Sequence, residues 1–271
     1  MKTCRNWPIS VCSWSLQTHL KGVGSAMDEL GLAHVHLDLN PAIADPEAFI
    51  IAVCRQNWTI TSMMIGFPQE DYSTLESIRK TGGIVPDDCW ESNYRRFLRA
   101  IEVTAALQVP YLSSHFGFLD RSSSDYADKF RNRICRLADA AAEKHITLLM
   151  ETGQENADEL RLFLESLGHK ALAVNFDPAN MILYNQGDPI KAVEKLAPWI
   201  RHVHVKDAVL TETCGTWGCE VVWGQGHVGA DLFLRALGGI GFNGALAVER
   251  EAGTDRLGDI KSAIQQLESF V

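Results

Sequence analysis

The segment RHVHVKD, residues 201–207, sets two histidines and a lysine at alternate positions. In a β-strand alternate side chains share a face, so His202, His204 and Lys206 fall on one side and Val203 and Val205 on the other. A solvent-facing edge strand accepts such a row, whereas a buried strand must supply a partner for every polar group. Other short apolar runs also end in residues able to do chemistry. ITLLME closes on Glu151, LAVNFD on Asp177, ALAVER on Glu249 and Arg250, and VPYLSSH on His115. If these ends converge, three carboxylates meet one imidazole. Carboxylates crowded in a low-dielectric site repel and resist ionisation. A divalent cation removes that conflict, and three carboxylate oxygens with one imidazole nitrogen suit Mn²⁺, Mg²⁺ or Co²⁺, with Zn²⁺ also compatible.

Each residue alone has an ordinary reading. Glu151 could cap a helix or pair with a lysine, and Asp177, before Pro178, could be a turn residue. His204 could be structural, and Glu249, beside Arg250 and Glu251, could belong to a surface ion pair. The metal reading rests on the four falling at the ends of four consecutive strands.

The elements that would position these residues repeat as an architecture. Eight apolar, β-branched runs cover residues 9–15, 33–39, 59–67, 109–115, 146–151, 172–177, 201–207 and 245–250. Amphipathic segments separate most of them. DPEAFIIAVCRQN and GDPIKAVEKLAPW open on Asp-Pro, a cap followed by a first-turn proline. WESNYRRFLRAIEVTAALQ and SDYADKFRNRICRLADAAAEKH repeat apolar residues at helical spacing, NADELRLFLESLG ends on glycine, and ADLFLRALGGIG and LGDIKSAIQQLESFV complete the set. This alternation predicts a single (β/α)₈ TIM-barrel domain over residues 1–271. A doubly wound open sheet fits less well, because no glycine-rich dinucleotide fingerprint follows the first strand. Long connections are expected after strands three, four and seven, on the face where such barrels build active sites.

The 271 residues are 46% apolar and carry a net charge of −9, with no basic cluster, which disfavours nucleic acid as a partner. No apolar run is long enough for a membrane span, and the first residues lack a secretory pattern. Seven cysteines, most in apolar segments, fit reduced thiols in a cytoplasmic protein. Cys214 and Cys219, in ETCGTWGCE, are the exception, where a disulfide or half a zinc site is the alternative.

METGQENADEL, VNFDPANMILYNQGDPIKAVEKLAPWIRHVHVKDA, VVWGQGHVGADLFLRALGGIGFNGALAVERE and the N-terminal VCSWSLQ resemble the sugar phosphate isomerase/epimerase family, whose members have the xylose isomerase-like TIM barrel. The resemblance covers nearly the whole chain and is strongest from residue 146 onward. It implies one metal held by Glu151, Asp177, His204 and Glu249, with His204 rather than His202 as the imidazole ligand. It also implies Glu151 and Glu249 as acid/base groups on opposite faces of a sugar substrate, and a homodimer or homotetramer as the assembly. One departure concerns specificity: the family's ketose 3-epimerases carry a substrate-binding histidine three residues after the metal aspartate, where this chain has Asn180.

The chemistry implied is proton transfer through an enediolate, which gives epimerisation or isomerisation according to where the proton returns. Loss of a β-hydroxyl from the same intermediate gives a dehydratase or lyase, the alternative reading. An apurinic-endonuclease-like DNA-repair enzyme would need more histidine ligands and a basic surface, and a non-catalytic barrel is the remaining reading. Lys206, His115, Asn180 and Trp14 are expected around the substrate. Lys206 could equally be a surface lysine, His115 a structural histidine and Trp14 a core side chain. WGQGHVG, residues 223–229, could cradle a phosphate or form a plain turn, and His227 within it is not expected to be a ligand.

Overall fold

Eight parallel strands hydrogen-bond side by side until the first meets the last, in a computed structural model that describes residues 1–120, 123–213 and 215–270. They are β1 (Trp7–Cys12), β2 (His34–Asp38), β3 (Thr59–Met64), β4 (Tyr111–Ser114), β5 (Thr147–Glu151), β6 (Leu172–Phe176), β7 (Ile200–Val205) and β8 (Ala245–Val248). Each pairs in parallel with its sequence neighbours, and β8 and β2 both flank β1, which closes the barrel. Closure leaves no unpaired edge, so the open-sheet alternative is excluded.

The strands follow from their composition. Short runs of Val, Ile and Leu, buried on both faces, suit a parallel sheet covered by helices. The outward residues of β7, Val203 and Val205, are fully buried in the hydrophobic layer with Phe233, Leu234 and Val193. The inward residues are largely polar: Ser10, His36, Ser62, Ser113, Asn175, His202 and His204 are all almost inaccessible.

The helices begin where the capping residues place them. Asp45 accepts from Ala48 N at 3.0 Å ahead of α2 (Pro46–Cys54), and Asn156 and Glu159 form a reciprocal capping box on α6 (Ala157–Leu167). Asp188 caps α8 (Pro189–Leu196), whose first residue is the expected proline. The long amphipathic segments become α4 (Asp87–Ala106), α5 (Ser124–Glu143), α9 (Ala230–Gly239) and α10 (Arg256–Ser269). Three helices lie outside the sequence reading. α1 (Leu20–Leu30) carries Gly22 and Gly24, which mask its periodicity, and α3 (Leu75–Thr81) lies inside the long third connection. α7 (Pro178–Leu183) is a short helix beginning directly after Asp177. No described helix is long and apolar enough to cross a membrane.

The seventh connection contains a small antiparallel pair, Asp207–Val209 with Cys219–Val221. Asp207 organises the glycine-rich segment behind it. Its carboxylate accepts from the backbone N–H of Ala208 (2.9 Å), Gly224 (3.0 Å), Gly226 (2.9 Å) and Val228 (3.1 Å). A Cβ on Gly226 would lie 2.2 Å from an Asp207 oxygen, so only glycine permits this approach. The anion cradle considered for WGQGHVG therefore exists, but the chain's own carboxylate fills it. His227 accepts from Leu210 N through Nδ1 at 3.0 Å and takes no part in the barrel mouth. Cys219 is an exposed free thiol, and Cys214 lies outside the described residues.

Just before the α6 cap, Glu155 is buried. Burial, with Glu159 adding like charge, pushes its carboxyl up to about 8. The folded chain then holds a proton that the unfolded chain releases, so stability is lost as pH rises from the ordinary carboxylate range toward 8. Glu155→Gln removes that loss. We expect the variant to exceed wild type by roughly 1–3 kcal/mol at pH 8.5 and to match it near pH 4.5. Urea unfolding at the two pH values measures the difference.

Candidate metal centre and active-site cavity

Four side chains from four consecutive strand ends meet at one point. Glu151 ends β5, Asp177 follows β6, His204 lies near the end of β7 and Glu249 follows β8. One potential ligand atom from each lies within 4.8 Å of the others, and all four residues are buried. His204 Nδ1 is 3.1 Å from Glu249 Oε2, 3.3 Å from Glu151 Oε1 and 3.6 Å from Asp177 Oδ2.

Each group has one atom tied down by the chain and one left bare. Asp177 is the N-cap of α7, and its Oδ1 accepts from Ala179 N (2.8 Å) and Asn180 N (3.0 Å). Glu151 Oε1 accepts from Asn180 Nδ2 at 3.0 Å, and Glu249 Oε1 accepts from Trp14 Nε1 at 2.6 Å. His204 Nε2 contacts His36 Nδ1 and the Asn175 amide, each at 3.0 Å. The other atoms, Asp177 Oδ2, Glu151 Oε2, Glu249 Oε2 and His204 Nδ1, are buried without a hydrogen-bond partner. Leaving one such atom unpaired costs about 1–3 kcal/mol, and more when it is charged. With one ligand atom of each residue within 4.8 Å of the others, the group suits a divalent cation.

Charge and burial oppose one another throughout the cluster. Burial pushes Asp177 up to about 6, against the favourable charge of Lys206. Glu249 is likewise opposed by burial, yet Lys206 and His204 hold it well below the usual carboxylate range. Burial opposes a charge on His204, but the surrounding carboxylates raise it well above an ordinary imidazole. The carboxylates thus pull a proton onto the nitrogen that a metal would need bare, and cation binding must release it.

Beneath the metal point the barrel interior sets the orientation of His204. A neutral His204 offering Nδ1 to a metal carries its proton on Nε2. Turning the Asn175 amide end for end leaves its heavy-atom positions unchanged and puts its oxygen on that N–H. Its NH₂ then donates to His202 Nδ1, at 2.9 Å, and His202 Nε2–H to Thr61 Oγ1, at 3.0 Å. The Thr61 hydroxyl donates in turn to the Val35 carbonyl at 3.2 Å. Burial keeps His36 and His202 neutral, as this relay requires. Cys12, His36 and His204 form a second close group, in which burial pushes the Cys12 thiol up to about 12.

Above the metal point opens a cavity of about 660 Å³. Of the residues expected around a substrate, Trp14, His115, Asn180 and Lys206 all line it. His115 Nε2 is 3.4 Å from Glu151 Oε1. Lys206 is not free: its ammonium lies 2.6 Å from Glu251, 3.1 Å from Glu249 and 3.8 Å from Asp177. Burial opposes its charge, but these carboxylates raise it well above an ordinary lysine. Asn175 and His36 escaped the sequence reading, although AHVHLD repeats the H-x-H alternation of RHVHVKD. Glu70, Tyr72, Trp217 and Glu251 also line the cavity; they come from irregular connections, where no periodicity marks an inward face.

If Asn175 fixes the tautomer of His204, Asn175→Leu lowers cation affinity about ten- to a hundred-fold, the usual cost of losing a ligand's supporting hydrogen bond. Calorimetric titration of metal-free protein measures this. An unchanged affinity would mean that His36 alone accepts the proton.

Residues 28–270 match the family described as xylose isomerase-like TIM barrel. The crystal structure of a xylose isomerase domain protein from Planctomyces limnophilus superposes with a TM-score of 0.89 at 31% identity, covering 98% of this chain and 97% of that one. The probable 3-DHS dehydratase AsbF from Bacillus anthracis gives a TM-score of 0.74 at 14% identity, over 96% and 98% of the two chains. D-allulose 3-epimerase from Methylomonas sp., solved in complex with D-allulose, gives 0.73 at 15% identity, over 100% and 99%. No curated protein matches the chain by sequence. With its closed eight-strand barrel and a match spanning most of its length, the chain belongs to the xylose isomerase-like TIM barrel family.

Proposed function

We propose that this chain, acting as one barrel domain in the cytoplasm, is a divalent-metal-dependent sugar isomerase or epimerase. The observation that carries the reading is the set of four bare, buried ligand atoms on Glu151, Asp177, His204 and Glu249. When bound there, a cation such as Mn²⁺, Mg²⁺ or Co²⁺ supplies Lewis-acid stabilisation of the negative charge that develops on a carbonyl and its neighbouring hydroxyl.

The chain's own residues do the rest. Glu151 and Glu249 end β5 and β8, on either side of His204, and both line the cavity. A substrate carbon between them has a carboxylate on each face. One, ionised, removes the acidified C–H proton, and the other, which must enter protonated, delivers its proton to the opposite face; isomerisation instead returns the removed proton to the next carbon. Asn180, His115 and Trp14 hold the two glutamates through the contacts above, and Trp14 presents an indole wall to the sugar. Lys206 offsets the carboxylate charge. D-Allulose, bound by an epimerase of the same fold, is the kind of small ketose this arrangement can accept. The acidic cavity lining opposes nucleic acid as a partner.

Solvent exchange in deuterated water tests the reading. Metal-supplied wild type is expected to introduce deuterium into a recovered ketose at the carbon next to the carbonyl. Glu151→Gln and Glu249→Gln should each lose roughly 10²–10⁴-fold in that rate. Asp177→Ala should lose bound metal by elemental analysis, and undiminished metal content would sink the ligand assignment. Loss of water or an aglycone in place of exchange would mark a lyase.

A further inference from the structure

Resting on that reading, we propose that the substrate is an uncharged keto-sugar carrying a further ring or aglycone, not a sugar phosphate, and that Tyr184 and Trp217 form the wall against which the added group packs.

The charge of the cavity carries the first half. Six of its lining residues are carboxylates: Asp38, Glu70, Glu151, Glu220, Glu249 and Glu251. Among the described residues Lys206 is its single lysine or arginine, and its ammonium is already held by Glu251, Glu249 and Asp177. One divalent cation and Lys206 together offset Glu151, Asp177 and Glu249, which leaves the rest of the lining acidic. Arg250 lies behind Glu220 at 2.6 Å and is engaged with it and with Asp259. The backbone donors of residues 224–228, the place where a barrel of this kind could grip a phosphate, are consumed by Asp207. Among the described residues a phosphate dianion would therefore meet carboxylates and no unengaged cation, a repulsion that selects against it. A polyol meets a row of acceptors suited to hydroxyl donors.

Size and surface carry the second half. About 660 Å³ falls within the range of pockets for ligands well larger than one sugar ring. Leu183, Tyr184 and Trp217 give the lining an apolar and aromatic part. The rings of Tyr184 and Trp217 meet edge to face at 4.7 Å, and Phe118 and Ile78 back them in a separate apolar cluster. Edge-to-face aromatic rings bind the apolar faces of sugars and aglycones without a charge requirement.

The test is calorimetric binding to Mn²⁺-loaded protein with three probes: D-fructose, D-fructose 6-phosphate and a 3-keto-glucoside of 4-nitrophenol. The keto-glucoside is expected to bind at least ten-fold tighter than either other probe, with the phosphate weakest. Trp217→Ala should weaken the keto-glucoside about ten-fold and leave fructose unchanged, with metal content unaltered. Binding of the phosphate as tight as that of fructose would overturn the proposal, as would equal effects of Trp217→Ala on fructose and the glucoside. Deuterium exchange with the same probes is read separately. Exchange confined to the phosphate would overturn this proposal and leave the proposed chemistry standing, whereas selective binding with no exchange or elimination would sink the chemistry and leave the proposal standing.

Discussion

Three carboxylates and one imidazole are buried at one point, and much of this barrel is arranged to hold their charges there. Each acid keeps one oxygen engaged by a fixed donor and leaves the other bare. For Asp177 the donors are the first N–H groups of α7, so a helix start and a ligand orientation are the same feature. For Glu249 the donor is an indole, and for Glu151 an amide on the first turn of the same helix. Lys206 adds a fixed positive charge. The site is thus pre-organised by ordinary capping and pairing, at the cost of bare polar atoms that the fold alone does not satisfy.

The same constraint explains the inside of the barrel. Most barrels of this type fill the interior with branched apolar residues. Here β1, β2, β6 and β7 contribute Ser10, His36, Asn175 and His202 below the metal point. A stack of neutral imidazoles and an amide, each donating to the next, fixes which nitrogen of His204 stays bare. Asp207 plays the corresponding part outside the barrel, shaping the connection whose residues Trp217 and Glu220 reach the cavity.

Much of this was legible in the sequence, for physical reasons. The eight strands were visible because parallel strands buried on both faces are dense in branched residues, and the four cluster residues because they sit where those runs stop. Two features hid. α7 is too short to show periodicity, so the sequence offers Asp177 as a ligand, or as a turn residue before Pro178, and not as a helix cap. Lys206 read as a substrate contact or a surface lysine because alternation gives a side chain's face and not its partner; Glu251, which holds it, is distant in sequence. His36 lay in plain view in AHVHLD, whose strand even ends on the acid Asp38, but alternation alone does not show that its ring meets His204. The phosphate cradle read into WGQGHVG had the right backbone and the wrong occupant, since spacing cannot show that Asp207 already fills it.

The central claim is that one cation sits among Glu151, Asp177, His204 and Glu249. The most direct measurement is anomalous diffraction from crystals of the Mn²⁺-loaded protein at the manganese edge. The account predicts one strong peak within about 2.0–2.4 Å of an oxygen of each acid and of His204 Nδ1. A peak at Cys12 and His36, or none among these four residues in protein that carries bound metal, would contradict it.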